Sequence, residues 1–273
     1  MSRIAGSSQG DPPAVRAVGS GTADGVAVDD IRYGAPPDEV EAWVVRPEPA
    51  GTVAGPGLVM WHWLDTEAPD GNRDEFRDEA RALADRGIVS LLPQGQFPWR
   101  RDPTGSAADA AAVEAEVARL RRGLDLLAAR PDVDPERLAV VGHDFGGMLA
   151  VVAAAEDPRI RAVALIAPTP RWGDWFLPFW PIAEDRIDYL RAMRRLDPVE
   201  RIGALAGRPI LLQLGQRDFY VPLMAGFELR RAAGGPDALE LKTYDAEHDM
   251  RLPAARADRL AFLERVLGLT PAG

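Results

Sequence analysis

Val140-Val141-Gly142-His143-Asp144-Phe145-Gly146-Gly147 is the stretch on which the reading of this chain turns. Before it lies a short apolar run, Leu138–Val141, with the pattern of a buried strand. After it, Gly147–Ala155 is a run of small residues that predicts a helix packed close against a sheet. A strand, a tight turn and a helix are therefore compressed into a few residues. The glycines have a physical role in that turn. Its apex residue is held in a strained backbone conformation, and its neighbours must carry almost no side chain. The apex side chain is thrust out at a helix N-terminus, where backbone N–H groups favour negative charge. The apex residue here is Asp144.

Working outward, strand-like and helix-like patterns alternate. Val26–Tyr33 and Val40–Arg46 are β-prone and separated by a turn cluster; Gly57–Trp63 is a continuous apolar run. Asn72–Arg86 has helical spacing and stops at Gly87, Ile88–Pro93 is a strand, and Ala107–Arg130 is an amphipathic helix. Pro131–Arg137 reads as a loop. Val163–Ala167, Ile210–Leu214 and Leu239–Tyr244 predict further strands, and Ala254–Leu267 a final helix. This alternation predicts one α/β domain over residues 25–273, with a mostly parallel central sheet flanked by helices. Residues 1–24, rich in Gly, Ser, Pro and Ala, read as a flexible lead-in. Residues 170–201 are longer than one crossover needs and hold Trp172, Trp175 and Trp180, which predicts a short lid over a pocket.

Composition bounds the function. The 273 residues, 47% of them hydrophobic and 27% charged, suit a soluble globular chain. A net charge of −10 argues against nucleic acid as a partner, because phosphate contacts need a basic surface. With no cysteine, disulfides, thiolate metal sites and a Cys nucleophile are excluded. The three histidines, His62, His143 and His248, show no metal-ligand spacing. No signal-peptide or membrane-spanning pattern is visible, so the expected location is cytoplasmic and no membrane partner is expected. No metal or organic cofactor is implied, and the oligomeric state is left open.

Two further elements fall in order behind the elbow. Asp218 follows the strand Ile210–Leu214, where an orienting carboxylate would sit, and His248 follows the strand Leu239–Tyr244. Asp144, Asp218, His248 is the order nucleophile, acid, histidine. On these residues, together with the early strand ending in His62, the chain resembles the α/β-hydrolase superfamily and, within it, the dienelactone-hydrolase-like branch. The resemblance covers residues 25–268. It implies Asp144 at the nucleophile position, Asp218 as the triad acid and His248 as the triad base. It also implies an oxyanion hole from the Phe145 N–H and an N–H of Trp63 or Leu64. Substrate contacts are expected from His62, Trp172, Trp175, Trp180 and Tyr220, with His62 orienting the oxyanion loop and His143 a structural neighbour.

Two residues depart from that branch. It usually carries Ser or Cys at the apex, and Gly after the residue matching His62; this chain has Asp144 and Trp63. An aspartate apex is similar to that of epoxide hydrolases and dehalogenases. A carboxylate is ionised at neutral pH and displaces a leaving group at an sp³ carbon; attack on an ester would give an unfavourable anhydride. The resulting expectation is a cofactor-independent hydrolase of a small, partly apolar molecule. It would work through an alkyl-enzyme ester or through water activation by Asp144. An ester or lactone hydrolase and a non-catalytic ligand-binding homologue are the alternatives.

Overall fold

The structure is a computed structural model that describes residues 12–68 and 71–269. Nine strands form one sheet: β1 (Val15–Ala23), β2 (Val26–Tyr33), β3 (Val40–Pro47), β4 (Gly55–Trp61), β5 (Val89–Pro93), β6 (Val133–His143), β7 (Ile160–Ile166), β8 (Ile210–Gly215) and β9 (Glu240–Tyr244). Their order across the sheet is β1-β2-β3-β5-β4-β6-β7-β8-β9. The first three strands and β5 pair antiparallel; from β5 to β9 every neighbouring pair is parallel. Parallel strands need crossover connections, and the helices supply them. The helices are α1 (Arg77–Ala84), α2 (Ala108–Ala128), α3 (Phe145–Glu156), α4 (Gly173–Phe179), α5 (Arg186–Met193), α6 (Pro198–Arg201), α7 (Leu223–Ala232) and α8 (Pro253–Leu267). α2 and α3 pack together over β4, β6 and β7, while α8 covers β6, β7 and β8. Covered on both faces, the central strands are apolar along their whole length: β5 and β8 are buried at every residue. Among the described residues no helix is long and apolar enough to cross a membrane.

The mostly parallel α/β sheet is the architecture expected from the sequence. Two local expectations need correcting. Part of the lead-in is ordered: Val15–Ala23 is β1, an edge strand paired along β2, whereas residues 1–11 lie outside the described part. All nine β1 residues are exposed, so no buried alternation marked the strand. Its one signal is Asp24-Gly25, both at positive φ (54° and 76°), as a tight hairpin turn demands. The second correction is in Pro131–Arg137, read as a loop: β6 already begins at Val133.

At the elbow β6 ends on His143 and α3 starts on Phe145, leaving Asp144 alone between them at φ 53°, ψ −118°. The Asp144 N–H donates to the Ile166 carbonyl, at the end of β7, at 2.8 Å, and this tethers the strained residue. Gly142 and Gly146 make the geometry possible. A Cβ on Gly142 would lie 2.2 Å from the Gly146 carbonyl oxygen, and one on Gly146 would lie 2.2 Å from that of Trp61.

Candidate active site

Three strand ends deliver the three residues that were paired from the sequence. Asp144 stands beyond β6, Asp218 in the loop after β8, and His248 in the loop after β9. The two loops are laced together: Gln216 N–H donates to the Tyr244 carbonyl at 2.7 Å and Arg217 N–H to that of Ala246 at 3.0 Å. Asp218 then uses both oxygens. Oδ1 accepts from the N–H groups of Tyr220 (2.8 Å) and Val221 (2.9 Å), and Oδ2 accepts from His248 Nδ1 at 2.8 Å. The bond to Nδ1 leaves His248 Nε2 facing Asp144 Oδ2 at 4.0 Å. Nε2 and Asp144 Oδ1 are both buried and have no hydrogen-bond partner among the described residues.

The electrostatics follow from burial and pairing. Asp144 is 1% exposed, and burial pushes its carboxyl above the usual range. The imidazoles of His248 and His143 and the N–H of Phe145 favour the ionised form. For His248, burial alone would lower the pKa; the carboxylates of Asp144 and Asp218 outweigh it and push it up to about 10. Asp174, on α4 beyond the end of β7, is not the partner: the carboxylate bonded to His248 is that of Asp218.

A cavity of about 780 Å³ opens above these groups. Trp63, Leu64, Phe145, Trp175, Trp180 and Tyr220 line it, as do Asp144 and His248. Glu247 and Asp249, which flank the histidine in sequence, also border it. A separate cavity of about 630 Å³ lies on the other side of Trp63 and His143, and its wall includes none of the three triad candidates.

Three residues expected at the substrate or oxyanion site are placed differently. Trp172 is fully buried; its indole N–H donates to the Leu196 carbonyl at 2.8 Å and its backbone N–H to Asp197 at 3.0 Å. It is core beneath α4, not cavity wall, because both of its N–H donors are consumed by Leu196 and Asp197, further along the same 170–201 segment. His62 is 1% exposed, and its Nε2 accepts from Gly95 N–H at 3.1 Å while Nδ1 meets the Trp63 carbonyl at 3.0 Å. It braces the β4 and β5 loops from below and does not face the cavity. The Trp63 N–H donates to Glu75 Oε2 at 2.9 Å, which removes it from an oxyanion hole and leaves Leu64 and Phe145 as the candidate donors.

Glu75 is the residue that sequence reasoning missed. Its other oxygen meets His143 Nδ1 at 2.5 Å, and His143 Nε2 donates to the backbone carbonyl of His248 at 2.9 Å. A carbonyl can only accept, so that bond places a proton on Nε2. Trp63, the elbow and the His248 loop are thus tied by one buried chain of hydrogen bonds. Nothing local signals it, since Glu75 and His143 are 68 residues apart. Tyr189 on α5 is fully buried with its hydroxyl donating to Asp109 at 3.0 Å. Among the described residues no group of three His, Asp or Glu side chains is arranged to hold a metal ion.

Comparison with known proteins places this geometry in a family context. The prolyl oligopeptidase family matches residues 109–270, which span the elbow, Asp218 and His248. A polyketide transferase of Stachybotrys chlorohalonatus is 29% identical over 194 residues, 70% of this chain and 58% of that one. The chain spans 55% to 58% of the length of the curated relatives it matches. The solved acetyl xylan esterase from Paenibacillus sp. R4 superposes with a TM-score of 0.72 at 20% identity, over 93% of this chain and 89% of that one. A Klebsiella pneumoniae structure assigned as a dienelactone hydrolase gives 0.61 at 18% identity, over 93% and 99%. At these identities the likeness to solved structures is one of fold: the α/β-hydrolase fold in its dienelactone-hydrolase-like form.

Proposed function

The chain belongs to the prolyl oligopeptidase family, within the α/β-hydrolases, and from that premise we propose that it is a cofactor-independent hydrolase in which Asp144 attacks carbon directly. The observation that carries this reading is the elbow apex itself. A buried carboxylate stands 4.0 Å from a histidine that a second carboxylate orients. A serine would need that histidine to remove its proton; a carboxylate already has its nucleophilic lone pair.

An Asp144 oxygen forms a bond to an sp³ carbon of the substrate, and the bond to the leaving group breaks with its electron pair. Trp175 Nε1–H, buried in the cavity wall without a partner, is a donor available to that leaving group. The product is an alkyl ester of Asp144, which has lost its negative charge. His248 is then relieved of one of the two carboxylates that hold its proton, gives that proton to the departed leaving group, and as a neutral imidazole takes a proton from water. Hydroxide adds to the Asp144 carbonyl carbon, with the N–H groups of Phe145 and Leu64 as candidate donors to the oxyanion. Collapse expels the alcohol, which is protonated by His248. Asp144 is regenerated with one oxygen from water.

A second reading draws on the comparisons. The fold neighbours include an acetyl xylan esterase and a relative is named a polyketide transferase, both of which point to acyl substrates. There Asp144 and His248 would activate water directly against an ester or lactone carbonyl. Single-turnover hydrolysis in heavy-oxygen water separates the two. Direct attack puts the label into Asp144, read by mass spectrometry of the peptide that contains it; water activation puts it only into the product. The panel holds epoxides, haloalkanes, short esters and lactones. Asp144→Asn should lower turnover by about 10³-fold or more. Full turnover in Asp144→Ala would overturn both readings, and silence across the panel in the wild type would favour a ligand-binding role.

A further inference from the structure

The cavity above Asp144 has walls of unusual character. Three aromatic rings stand steeply around the imidazole of His248: Trp63 at 5.5 Å and 77°, Trp175 at 5.6 Å and 67°, and Tyr220 at 5.2 Å and 68°. Phe179 extends the wall, 5.5 Å from Trp175 and 5.8 Å from Tyr220. The site therefore presents π-faces and ring edges on several sides of one volume.

The charges around that volume are unbalanced. At the rim stand Asp65, Glu67, Glu247 and Asp249, against the two arginines Arg217 and Arg251. Both arginines have carboxylate partners: Arg217 pairs with Asp245 at 2.7 Å, and Arg251 lies 3.6 Å from Asp249. Asp65, Glu67 and Glu247 remain in excess. At the floor, Asp144 and Asp218 flank His248. Two carboxylates and an imidazole that share one proton carry a net charge of −1 wherever that proton resides. Asp144 Oδ1 is buried and has no donor. A buried acceptor of this kind is costly unless a positive or hydrogen-bonding group meets it.

Aromatic faces over a negative floor, under an acidic rim, match one ligand chemistry: a compact organic cation with apolar substituents. We infer that the substrate of this site carries an alkylammonium group, held among Trp63, Trp175 and Tyr220. The inference deepens the proposed reading of the cavity as the substrate site and rests on it. A quaternary ammonium fits best, because it has no N–H to satisfy and covers the rings with methyl groups. An anionic substrate would meet the rim and floor charges unfavourably, and a neutral apolar one would leave the floor's net negative charge and the partnerless Asp144 Oδ1 unmet.

The test compares choline with its neutral isostere, in which a quaternary carbon replaces the nitrogen. The two have the same shape and differ in one charge. Binding is followed by tryptophan fluorescence, with turnover of the epoxide and ester panel measured on the same preparations. The expected result is binding of the ammonium at least about tenfold tighter than the alcohol. In Asp144→Asn, which keeps the side-chain shape, the ammonium should lose several-fold in affinity while the alcohol is unchanged. Trp175→Leu should weaken both, the ammonium more; Glu247→Gln, at an exposed position, repeats the charge test without touching the core. Equal or tighter binding of the neutral alcohol by the wild type would overturn the inference. So would an ammonium preference that survives Asp144→Asn and Trp175→Leu intact, because the cation would then sit elsewhere. Turnover with a neutral preference would sink the cation inference and leave the hydrolase reading standing; an ammonium preference without any turnover would do the reverse.

Discussion

His248 is a buried imidazole that keeps its proton. Burial acts to lower its pKa, yet Asp144 on one side and Asp218 on the other raise it from 6.5 to about 10. The rings of Trp63, Trp175, Tyr220 and His143 surround it, and the first three carry no positive charge that would oppose its proton. The raised pKa has a consequence for stability. Between the unfolded value and the folded one, the native state holds a proton that the unfolded state has released. The stabilisation is complete below about pH 6.5 and is lost as pH rises through about 10. Removing the charge of Asp144 should bring the upper edge of that window down. Denaturation midpoints from pH 6 to pH 10 should therefore fall more steeply for wild type than for Asp144→Asn. Parallel profiles for the two proteins would show that Asp144 does not hold the His248 proton. The same residue scale explains the strain at the apex: Asp144 pays φ 53° for a position that no helical or strand residue could reach.

At the scale of elements, the site is an agreement among loops that leave β4, β6, β8 and β9. The elbow was legible because its signal is local: two glycines whose missing Cβ atoms make room for a carbonyl each, between an apolar strand and a small-residue helix. Asp218 and His248 were legible because each follows a strand at its end, an apolar one before Asp218 and a mostly polar one before His248. Other features left no local mark. β1 is exposed at every position, so its pairing comes from backbone bonds and the Asp24-Gly25 turn alone. Trp172 and Trp175 lie three residues apart in one aromatic cluster, yet one is core and the other lines the cavity; only the packing of α4 separates them. The Glu75–His143 link joins residues far apart in sequence and was invisible for that reason. Because His143 holds the carbonyl of His248, we propose that it positions the candidate catalytic histidine. His143→Leu leaves that buried carbonyl without its donor, at a cost of about 1–3 kcal/mol in stability. It should also lower kcat more than KM, since the substrate walls stay in place while the histidine shifts. His143→Gln, which keeps a donor, should restore part of the lost kcat. Full kcat alongside reduced stability would make His143 a packing residue only.

Across the whole molecule, one buried ion pair links segments from the two ends of the chain. Arg259 on α8 donates from Nε and Nη2 to both oxygens of Glu79 on α1, at 2.9 and 2.6 Å, and from Nη1 to Gln213 on β8 at 2.6 Å. The two charged residues are 6% and 5% exposed and 180 residues apart. Burial opposes the charge on Arg259, and Glu79 more than restores it, so its pKa is raised. Taking both charges out of water is expensive, and the bidentate geometry with Gln213 as a third partner is what offsets the expense. The asymmetry between breaking such a pair and replacing it gives a sharp test. Arg259→Met leaves Glu79 as a buried carboxylate without its cation, which should cost about 3–5 kcal/mol. In a chain of this size that lowers Tm by roughly 6–20 °C. Adding Glu79→Leu to the same protein removes the stranded charge and should recover most of the loss, because two packed apolar side chains replace a pair whose net contribution is small. A double variant no more stable than Arg259→Met would mean that the cost lies in lost packing around the guanidinium. The same loss recovered in Tm but not in turnover would show that the α1–α8 link also sets the position of Glu75, which only Phe76 separates from α1 and which carries the hydrogen bonds to Trp63 and His143.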